Sequence, residues 1–275
     1  MPSPSTPVTP DVLLEATPRR PNRPWPLIAW TLLVFGFLYL PLLVLVAISF
    51  NDSPILSLPF KGFTLRWYQL TFSDAAIRLA LVNSLKVAAA ATLLATGLGL
   101  LAAFAVYRHG FWGKNAFRIA LNLPILLPGI VTGVAMLAYF SDLGWELSLL
   151  TVILGHAVFG IPVAFGPILT RLSQFPRSLE EAAADLGATP TQVWLDVIFP
   201  YIRSAVISAA LLAFTLSFDE VVVTIFLTGR DNTLPIEIWG RLRTNITPEI
   251  AAVATLISAA SGTAVLLSHR LTPDP

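Results

Sequence analysis

Two adjacent acidic residues, Asp219 and Glu220, lie within an otherwise apolar stretch of the sequence, Ser204–Gly229. Carboxylates are costly inside a lipid bilayer, so acids at such a depth point first to a functional site. They could bind or guide a cation, or they could form a structural ion pair. Lys86, at a comparable depth in the stretch Leu79–Tyr107, is the candidate ion-pair partner. Since one lysine neutralises only one of two acids, both interpretations stay open.

The sequence carries no catalytic motif and no pattern for binding a metal or a phosphate group. It has no cysteine and three histidines, which excludes disulfides, thiol catalysis and cysteine-based zinc sites. The patterns H-E-x-x-H, G-x-S-x-G and G-x-x-x-x-G-K-[ST] are absent. We therefore expect no catalytic residue, no metal and no cofactor on this chain. The formal net charge of +1 gives no basic footprint for nucleic acid.

The composition is that of a membrane protein. Hydrophobic residues make up 55% of the chain and charged residues 12%, about half the usual share of a soluble domain. Six apolar stretches each approach the roughly 20 residues that cross a bilayer as a helix. They are Leu27–Phe50, Leu79–Tyr107, Ile119–Phe140, Leu147–Thr170, Ser204–Gly229 and Ile250–Ser268. The sequence predicts an all-α membrane protein with six transmembrane helices.

The positive charges orient these six helices. An N-terminus in the cytoplasm places more lysine and arginine on the cytoplasmic side, as the positive-inside rule requires. The cytoplasmic set is Arg19, Arg20, Arg23, Arg108, Lys114, Arg118, Arg171, Arg177, Arg203 and Arg270, and the opposite set is Lys61, Arg66, Arg78, Arg230, Arg241 and Arg243. Both termini are then cytoplasmic. The proline-rich residues 1–26 predict a disordered tail before a six-helix domain over residues 27–275.

A polar, acidic segment, Ser178–Pro200, separates the fourth and fifth apolar stretches. Ser178 and Glu181 predict a capping box, and Gly187 predicts a left-handed C-terminal cap. The stretch Thr189–Gln192 predicts a second capping box, which opens a second short helix that ends near Pro200. This helix-turn-helix unit could be a plain connecting loop or a docking element for a soluble partner. A DNA-binding role is excluded because the unit is acidic and tethered between membrane helices.

The same segment resembles the EAA loop of ABC-importer permeases, whose pattern is Glu-Ala-Ala, three residues, Gly, nine residues, an aliphatic residue, one more and Leu-Pro. The matching residues are Glu181, Ala182, Ala183, Gly187, Val197 and Pro200, with Phe199 in place of the usual leucine. The stretches "NSLKVA", "GHAVFGIPVAF", "LSFDEVVVTIFLTG" and "TLPIEIWGRLRTNITPEIAAVATL" are similar to the spermidine/putrescine class of these permeases. The resemblance implies that Glu181, Ala182, Ala183, Gly187 and Pro200 form the ATPase-coupling loop, over about residues 171–203.

The resemblance also implies a set of partners. These are a second, different permease subunit, two cytoplasmic ABC ATPase subunits that bind ATP and magnesium, and an extracytoplasmic solute-binding protein. It implies a location in the bacterial inner membrane, surrounded by lipid. The expected solute is a polyamine such as spermidine or putrescine. Arg230, Arg241 and Arg243 keep an amino-acid-like, zwitterionic or anionic solute open, and an ATPase-independent channel or secondary transporter is the alternative from another class.

Three further patterns predict helix packing. His156 in the fourth stretch is expected to form hydrogen bonds between helices. Pro124, Pro128, Gly129 and Gly133 are expected to bend or interrupt the third stretch, either as part of a transport pathway or as a purely structural kink. The small residues at four-residue spacing in the second stretch are expected to let another helix approach closely. They are Ala91, Ala95, Gly99 and Ala103.

Overall fold

A computed structural model of the chain describes residues 25–55, 59–244 and 247–271, with side chains up to residue 259. The described residues form helices and no β-strand. In chain order the helices are α1 (Trp25–Ser49), α2 (Arg66–Ser73), α3 (Ala75–Arg108), α4 (Lys114–Leu126), α5 (Gly129–Asp142), α6 (Leu149–Ser173), α7 (Arg177–Asp185), α8 (Pro190–Phe218), α9 (Val222–Leu227), α10 (Leu234–Thr244) and α11 (Pro248–Leu271). The all-α class is confirmed. The tail expected to be disordered lies outside the described residues up to residue 24.

Within the described residues, four helices are long and apolar enough to cross a membrane: α1, α3, α6 and α8. The first, second and fourth predicted spans correspond to α1, α3 and α6. The sixth falls on α11, whose side chains beyond Ala259 lie outside the described residues. The third and fifth predicted spans are both interrupted, so the count of six continuous helices is not reproduced.

The third predicted span is two helices, α4 and α5, which meet at 105°. Proline residues explain the interruption. Pro128 has no N–H to donate, and it forces the preceding Leu127 into an extended conformation with ψ 144°. The expected interruption of the third stretch is therefore confirmed. At 13 and 14 residues, neither helix reaches the roughly 20 residues needed to span a bilayer alone.

The helix that corresponds to the fifth predicted span begins and ends earlier in the chain than the sequence indicates. Helix α8 starts at Pro190 and continues through Pro200 to Phe218, so the expected separate second coupling helix is wrong. A π-helical turn at Val193–Ile198 accommodates Pro200. Proline lacks an N–H, and its ring crowds the carbonyl four residues back, so the helix widens at this turn. The N–H of Phe199 therefore donates to the carbonyl of Trp194, five residues back, rather than to the carbonyl four residues back.

The core is formed by α3, α6 and α8. The small-residue stripe of α3 is buried and packs against α6, as expected. A Cβ atom added at Gly99 would lie 2.8 Å from the Cβ of Ala164, and one added at Gly160 would lie 2.6 Å from the Cβ of Ala95. These contacts bring the two helix backbones close together, and α8 packs against both helices through residues such as Ile202. The three helices therefore form one packed unit.

An ion cluster around Arg241 attaches α10 and α11 to the start of α3, at the end of the bundle that is remote from α7. Its guanidinium contacts Asp74 at 2.8 Å, Glu237 at 3.0 Å and Glu249 at 3.8 Å, and so joins the start of α3 with α10 and the start of α11. Asp74 also accepts the N–H groups of Ala76 and Ile77 as the N-cap of α3. Burial raises the pKa of Asp74, but the hydrogen bonds from Arg241 and from these N–H groups outweigh it and hold the pKa below its usual value. The carboxylate therefore stays ionised and holds the three segments together.

Candidate functional site

The connection between α7 and α8 is a tight glycine turn. Gly187 has a φ of +84°, as the left-handed cap predicts. Its N–H donates to the carbonyl of Ala184 at 2.9 Å, and the N–H of Ala188 donates to that of Ala183 at 3.0 Å. These two bonds form a Schellman motif, which satisfies the last carbonyls of α7. Next to the turn, Leu186 projects into solvent with 89% of its surface exposed.

Of the two predicted capping boxes, the second is confirmed and the first is wrong. The hydroxyl of Thr189 accepts the N–H of Gln192, and the N–H of Thr189 donates to the side chain of Gln192 at 2.8 Å. In contrast, α7 has Pro176 as its N-cap and no capping side chain. The carbonyl of Pro176 accepts the N–H of Leu179, so the helix begins two residues early and leaves Ser178 inside its first turn.

Side chains fasten this connection to the membrane helices at three points. Arg108 at the end of α3 forms an ion pair with Glu180 of α7. The rings of Phe104 and Trp194 meet edge to face, with centroids 4.6 Å apart. The guanidinium carbon of Arg171 lies 4.1 Å from the ring centroid of Tyr201, which links α6 to α8, and the Arg171 Nε donates to the carbonyl of Tyr201 at 3.3 Å. These contacts join α7 to α3, and α8 to both α3 and α6.

The residues that match the EAA pattern lie mostly on the free side of this connection. Glu181, Ala182, Gly187 and Pro200 are exposed, and Ala183 is half-buried. Sequence reasoning missed the anchoring residues on the other side. Glu180 precedes the motif glutamate and Arg108 ends an apolar stretch, but nothing in the sequence indicates that residues 72 positions apart meet. The exposed side is thus available to a partner while the opposite side is held by the bundle.

A second polar region lies where α8 stops. Residues Asp219, Glu220 and Val221 interrupt the helix, and α9 resumes at Val222. The carboxylate of Glu220 accepts the N–H of Val223 at 3.0 Å, and its carbonyl accepts the Thr224 hydroxyl at 2.8 Å. The predicted acids are therefore not part of a continuous helix. They form the break itself, because a carboxylate that satisfies free N–H groups favours a new helix start.

The two acids have different environments. Glu220 is half-buried and bonded to the backbone at the start of α9. Asp219 is exposed on the surface of the chain. Among the described residues, no hydrogen bond or ion pair engages the Asp219 side chain. Glu220 thus has a structural contact, and Asp219 is the acid available to another molecule.

His156 of α6 contacts residues on both sides of the break. It is 4% exposed, and its ring nitrogens contact the hydroxyls of Ser217 and Thr224 at 2.8 Å each, one on either side of the break. Because the Thr224 hydroxyl donates its hydrogen to the carbonyl of Glu220, Nε2 of a neutral His156 ring donates to Thr224 and Nδ1 accepts from Ser217. The expected interhelical role of His156 is confirmed.

The break in α8–α9 lies against the break in α4–α5. A Cβ atom added at Gly129, the first residue of α5, would lie 3.4 Å from Val222, the first residue of α9. One added at Gly133 would lie 2.6 Å from the ring of Phe226. Glycine therefore allows α9 to pack closely on α5. The two interrupted spans predicted from sequence thus meet at one place in the fold.

Lys86 has no contact with either acid. It is exposed on α3, whereas the next residues, Val87 and Ala88, are buried. Within the part of the chain that the structure describes, the ion pairs are those of Arg108 with Glu180 and of Arg241 with its three acids. The ion pair between Lys86 and Asp219 or Glu220 has no geometric support and stays a prediction. The same residues contain no cluster of three or more histidine, aspartate or glutamate side chains that could hold a metal ion.

Comparison with known proteins agrees with the resemblance seen in the sequence. A family model described as "Binding-protein-dependent transport system inner membrane component" matches residues 95–272. The chain is 40% identical over 247 residues to the putrescine transport system permease protein PotI of Escherichia coli (strain K12). This alignment covers 87% of each protein. It is 37% identical over 245 residues to the spermidine/putrescine transport system permease protein PotC of Haemophilus influenzae (strain ATCC 51907 / DSM 11121 / KW20 / Rd), covering 89% of this chain and 95% of that one.

Two solved structures share the fold. A bacterial ABC transporter involved in the import of the acidic polysaccharide alginate matches with a TM-score of 0.65 and 16% identity, covering 92% of this chain and 96% of that one. The MetNI methionine ABC transporter, in an inward-facing conformation, matches with a TM-score of 0.55 and 17% identity, covering 71% and 95%. One of these transporters is named for an acidic polysaccharide and the other for an amino acid. The fold alone therefore does not indicate the solute.

The different environments of the two acids lead to a stability prediction. Replacing Glu220 with alanine removes the carboxylate that accepts the N–H of Val223, and loss of such a cap costs about 1 kcal/mol. We expect Glu220→Ala to lower the melting temperature of the purified protein, measured by thermal unfolding in detergent. Asp219→Ala is the matched control and leaves it unchanged. Equal melting temperatures for the two variants would contradict the capping role.

Proposed function

The chain belongs to the family of binding-protein-dependent transport system inner membrane components, and from that premise we propose that it forms half of the translocation pathway of an ATP-driven polyamine importer. Its solute would be putrescine or spermidine, delivered by an extracytoplasmic binding protein. A second, homologous permease chain would supply the other half of the pathway. Two ABC ATPase subunits would bind ATP and magnesium, since this chain has no phosphate-binding motif of its own.

The observation that carries the proposal is the continuity of α8. This helix begins at Pro190, directly after the exposed Gly187 turn, and ends at Phe218, directly before the acids. Its 29 residues span about 43 Å at 1.5 Å per residue. One rigid element thus joins the surface proposed to dock the ATPase to the acids proposed to meet the solute. A displacement imposed at one end would reach the other without passing through a flexible linker.

The coupling role is assigned to the exposed residues of the EAA pattern. Glu181, Ala182, Ala183, Gly187 and Pro200 would form the surface that enters a groove on the ATPase, as short helices commonly do. The anchoring by Arg108, Phe104 and Arg171 supports this assignment, because a docking element must be attached firmly to the helices that it moves. The distribution of lysine and arginine supports a cytoplasmic location for this surface and for both chain termini.

The solute class rests on the acids and on the named relatives. Asp219 is the candidate contact for an ammonium group, because it is exposed and without a partner among the described residues. Glu220 would add negative charge while capping α9. The two relatives reported above carry putrescine or spermidine in their names. A zwitterionic or anionic solute is the alternative, and it would require the basic residues Arg230 and Arg243, which are also exposed.

Uptake by the reconstituted complex tests the solute assignment. Proteoliposomes would contain this chain, its partner permease and the ATPase, with ATP in the lumen and binding protein and labelled putrescine outside. We expect Asp219→Asn to lower the initial uptake rate at least about tenfold, the effect of weakening one charge-assisted contact by roughly 1.4 kcal/mol. Asp231→Asn, at an exposed acid in the following loop, is the matched control and keeps the wild-type rate.

A second variant distinguishes a contact between Asp219 and the solute from a role of Asp219 in neutralising Lys86. If Asp219 only neutralised Lys86, Lys86→Met would restore uptake to Asp219→Asn, as a double-mutant cycle detects. We expect no restoration, since the structure brings the two side chains into no contact. Normal uptake by Asp219→Asn, or its full rescue by Lys86→Met, would remove Asp219 from the solute path.

The coupling assignment is tested at the glycine turn. Gly187→Arg strains a residue with φ +84° and adds bulk to the proposed docking surface. We expect loss of ATPase co-purification and of uptake, with normal membrane insertion. Gly113→Arg is the matched control, because Gly113 has the same φ and open space around it but lies at the start of α4. The assignment fails if both variants bind the ATPase and transport equally.

A further inference from the structure

A cavity of about 390 Å³ lies where α3 and α6 end and where α4 and α7 begin. Its described lining includes three basic residues, Lys114 and Arg118 of α4 and Arg177 of α7, and no acidic residue. Lys114 and Arg118 are four residues apart and therefore lie on the same side of α4. The cavity thus gathers three positive charges from two separate helices.

These three cations are not neutralised by the chain itself. In the ranges whose side chains are described, 25–55, 59–244 and 247–259, none of the three side chains forms an ion pair or a hydrogen bond. The nearby acid Glu180 pairs with Arg108. Glu181, four residues after Arg177, forms no ion pair with it among the described contacts. Because like charges at one place repel one another, a bound anion would stabilise this arrangement.

The lining of the cavity suits a phosphate group. The planar guanidinium of arginine binds phosphate through two parallel N–H bonds, and lysine binds it as a point charge. Thr170 and Ser173 also line the cavity, but their hydroxyls donate to the carbonyls of Gly166 and Thr170, at 2.9 Å and 2.7 Å. Recognition therefore falls to the cations, which favours an ionised phosphate over a neutral ligand.

The surroundings of the cavity favour a phosphate that is carried by a lipid. Helix α4 has no buried residue. Directly after Arg118 it exposes Ile119, Leu123 and Leu126, whose spacing of four and three residues places them on one side of the helix. A phospholipid could place its headgroup against the cations and its acyl chains along this apolar side, which a free phosphate ion would leave uncovered.

We propose that this cavity binds the headgroup of an anionic phospholipid, and that it prefers a headgroup with two phosphate groups, because three cations exceed the charge of one. Basic pockets between membrane helices on the cytoplasmic side bind headgroups of this kind, and the cytoplasmic location of this end of the bundle is the one proposed above. The bound lipid would join α4 to the start of α7. It would lie beside the proposed ATPase-docking surface without using a residue of the EAA pattern.

Native mass spectrometry of the purified full chain, titrated with cardiolipin in detergent, tests the proposal. We expect cardiolipin, which carries two phosphate groups, to bind at least about tenfold more tightly than phosphatidylcholine, whose headgroup has no net charge. Arg118→Gln and Arg177→Gln each remove one cation and are expected to weaken cardiolipin binding about tenfold, as loss of one charge-assisted contact does. Arg203→Gln is the matched control, since Arg203 is an exposed basic residue of α8 that does not line the cavity.

A further variant separates the arrangement of donors from charge alone. Arg118→Lys keeps the positive charge but loses the two parallel N–H groups, and we expect an affinity between those of the wild type and Arg118→Gln. Arg118 and Arg177 are exposed, so each variant should keep the melting temperature of the wild type in phosphatidylcholine. If a glutamine variant fails to insert, Arg118→Lys decides in its place, and wild-type affinity of Arg118→Lys would then contradict the proposal.

Competition and controls identify the occupant. Inorganic phosphate in excess is expected to leave cardiolipin bound, and displacement of the lipid by phosphate would show a site for free anions instead. Equal weakening by Arg203→Gln would reduce the effect to general attraction between anionic lipid and a basic surface, and would overturn the cavity site. Loss of ATPase co-purification in Arg118→Gln and Arg177→Gln, with cardiolipin binding unchanged, would assign the cations to a protein interface. None of these measurements involves the solute, so they stand whether or not the proposed polyamine transport does.

Discussion

A polar backbone segment inside an apolar bundle must have its hydrogen bonds satisfied by protein groups. At the break between α8 and α9 the Thr224 hydroxyl, which is bonded to His156, donates to the carbonyl of Glu220. The two ring nitrogens of His156 reach Ser217 before the break and Thr224 after it. Without the Thr224 hydroxyl the carbonyl of Glu220 would lose this donor, and an unsatisfied backbone group costs several kcal/mol in lipid. His156 thus links the two sides of the break, while Gly129 and Gly133 allow α9 to pack on α5.

The break matters because of what lies at the other end of α8. The same helix continues, through the π-helical turn at Val193–Ile198, to the Thr189 cap and the Gly187 turn. It is packed against α6 near Tyr201 and against α3 through Trp194. In a family whose members work with binding proteins, such a helix would connect the surface proposed to dock the ATPase with the acids proposed to meet the solute.

Local signals predicted most features that depend on a few neighbouring residues, although the capping box at Ser178 was wrong. The Gly187 turn, the Thr189 capping box, the small-residue stripe of α3 and the break at Pro128 all follow from residue type and spacing. Contacts between distant residues were not predictable in this way. The pairing of Arg108 with Glu180, and of His156 with Ser217 and Thr224, depends on how α3, α6 and α8 pack together. The continuation of α8 through Pro200 also escaped prediction, because a proline normally ends a helix unless a π turn absorbs it.

The central claim is that α8 acts as one rigid rod between the coupling loop and the acids. The chain has no native cysteine, so cysteines carrying spin labels can be placed at Leu195 and Leu216, which are 55% and 50% exposed. Pulsed electron resonance on the assembled complex then measures the distance between them, about 32 Å for a continuous helix. The account predicts the same single distance without nucleotide, with ATP bound and after hydrolysis. A distance that shortens or splits into two populations during the cycle would show that α8 bends, and would contradict it.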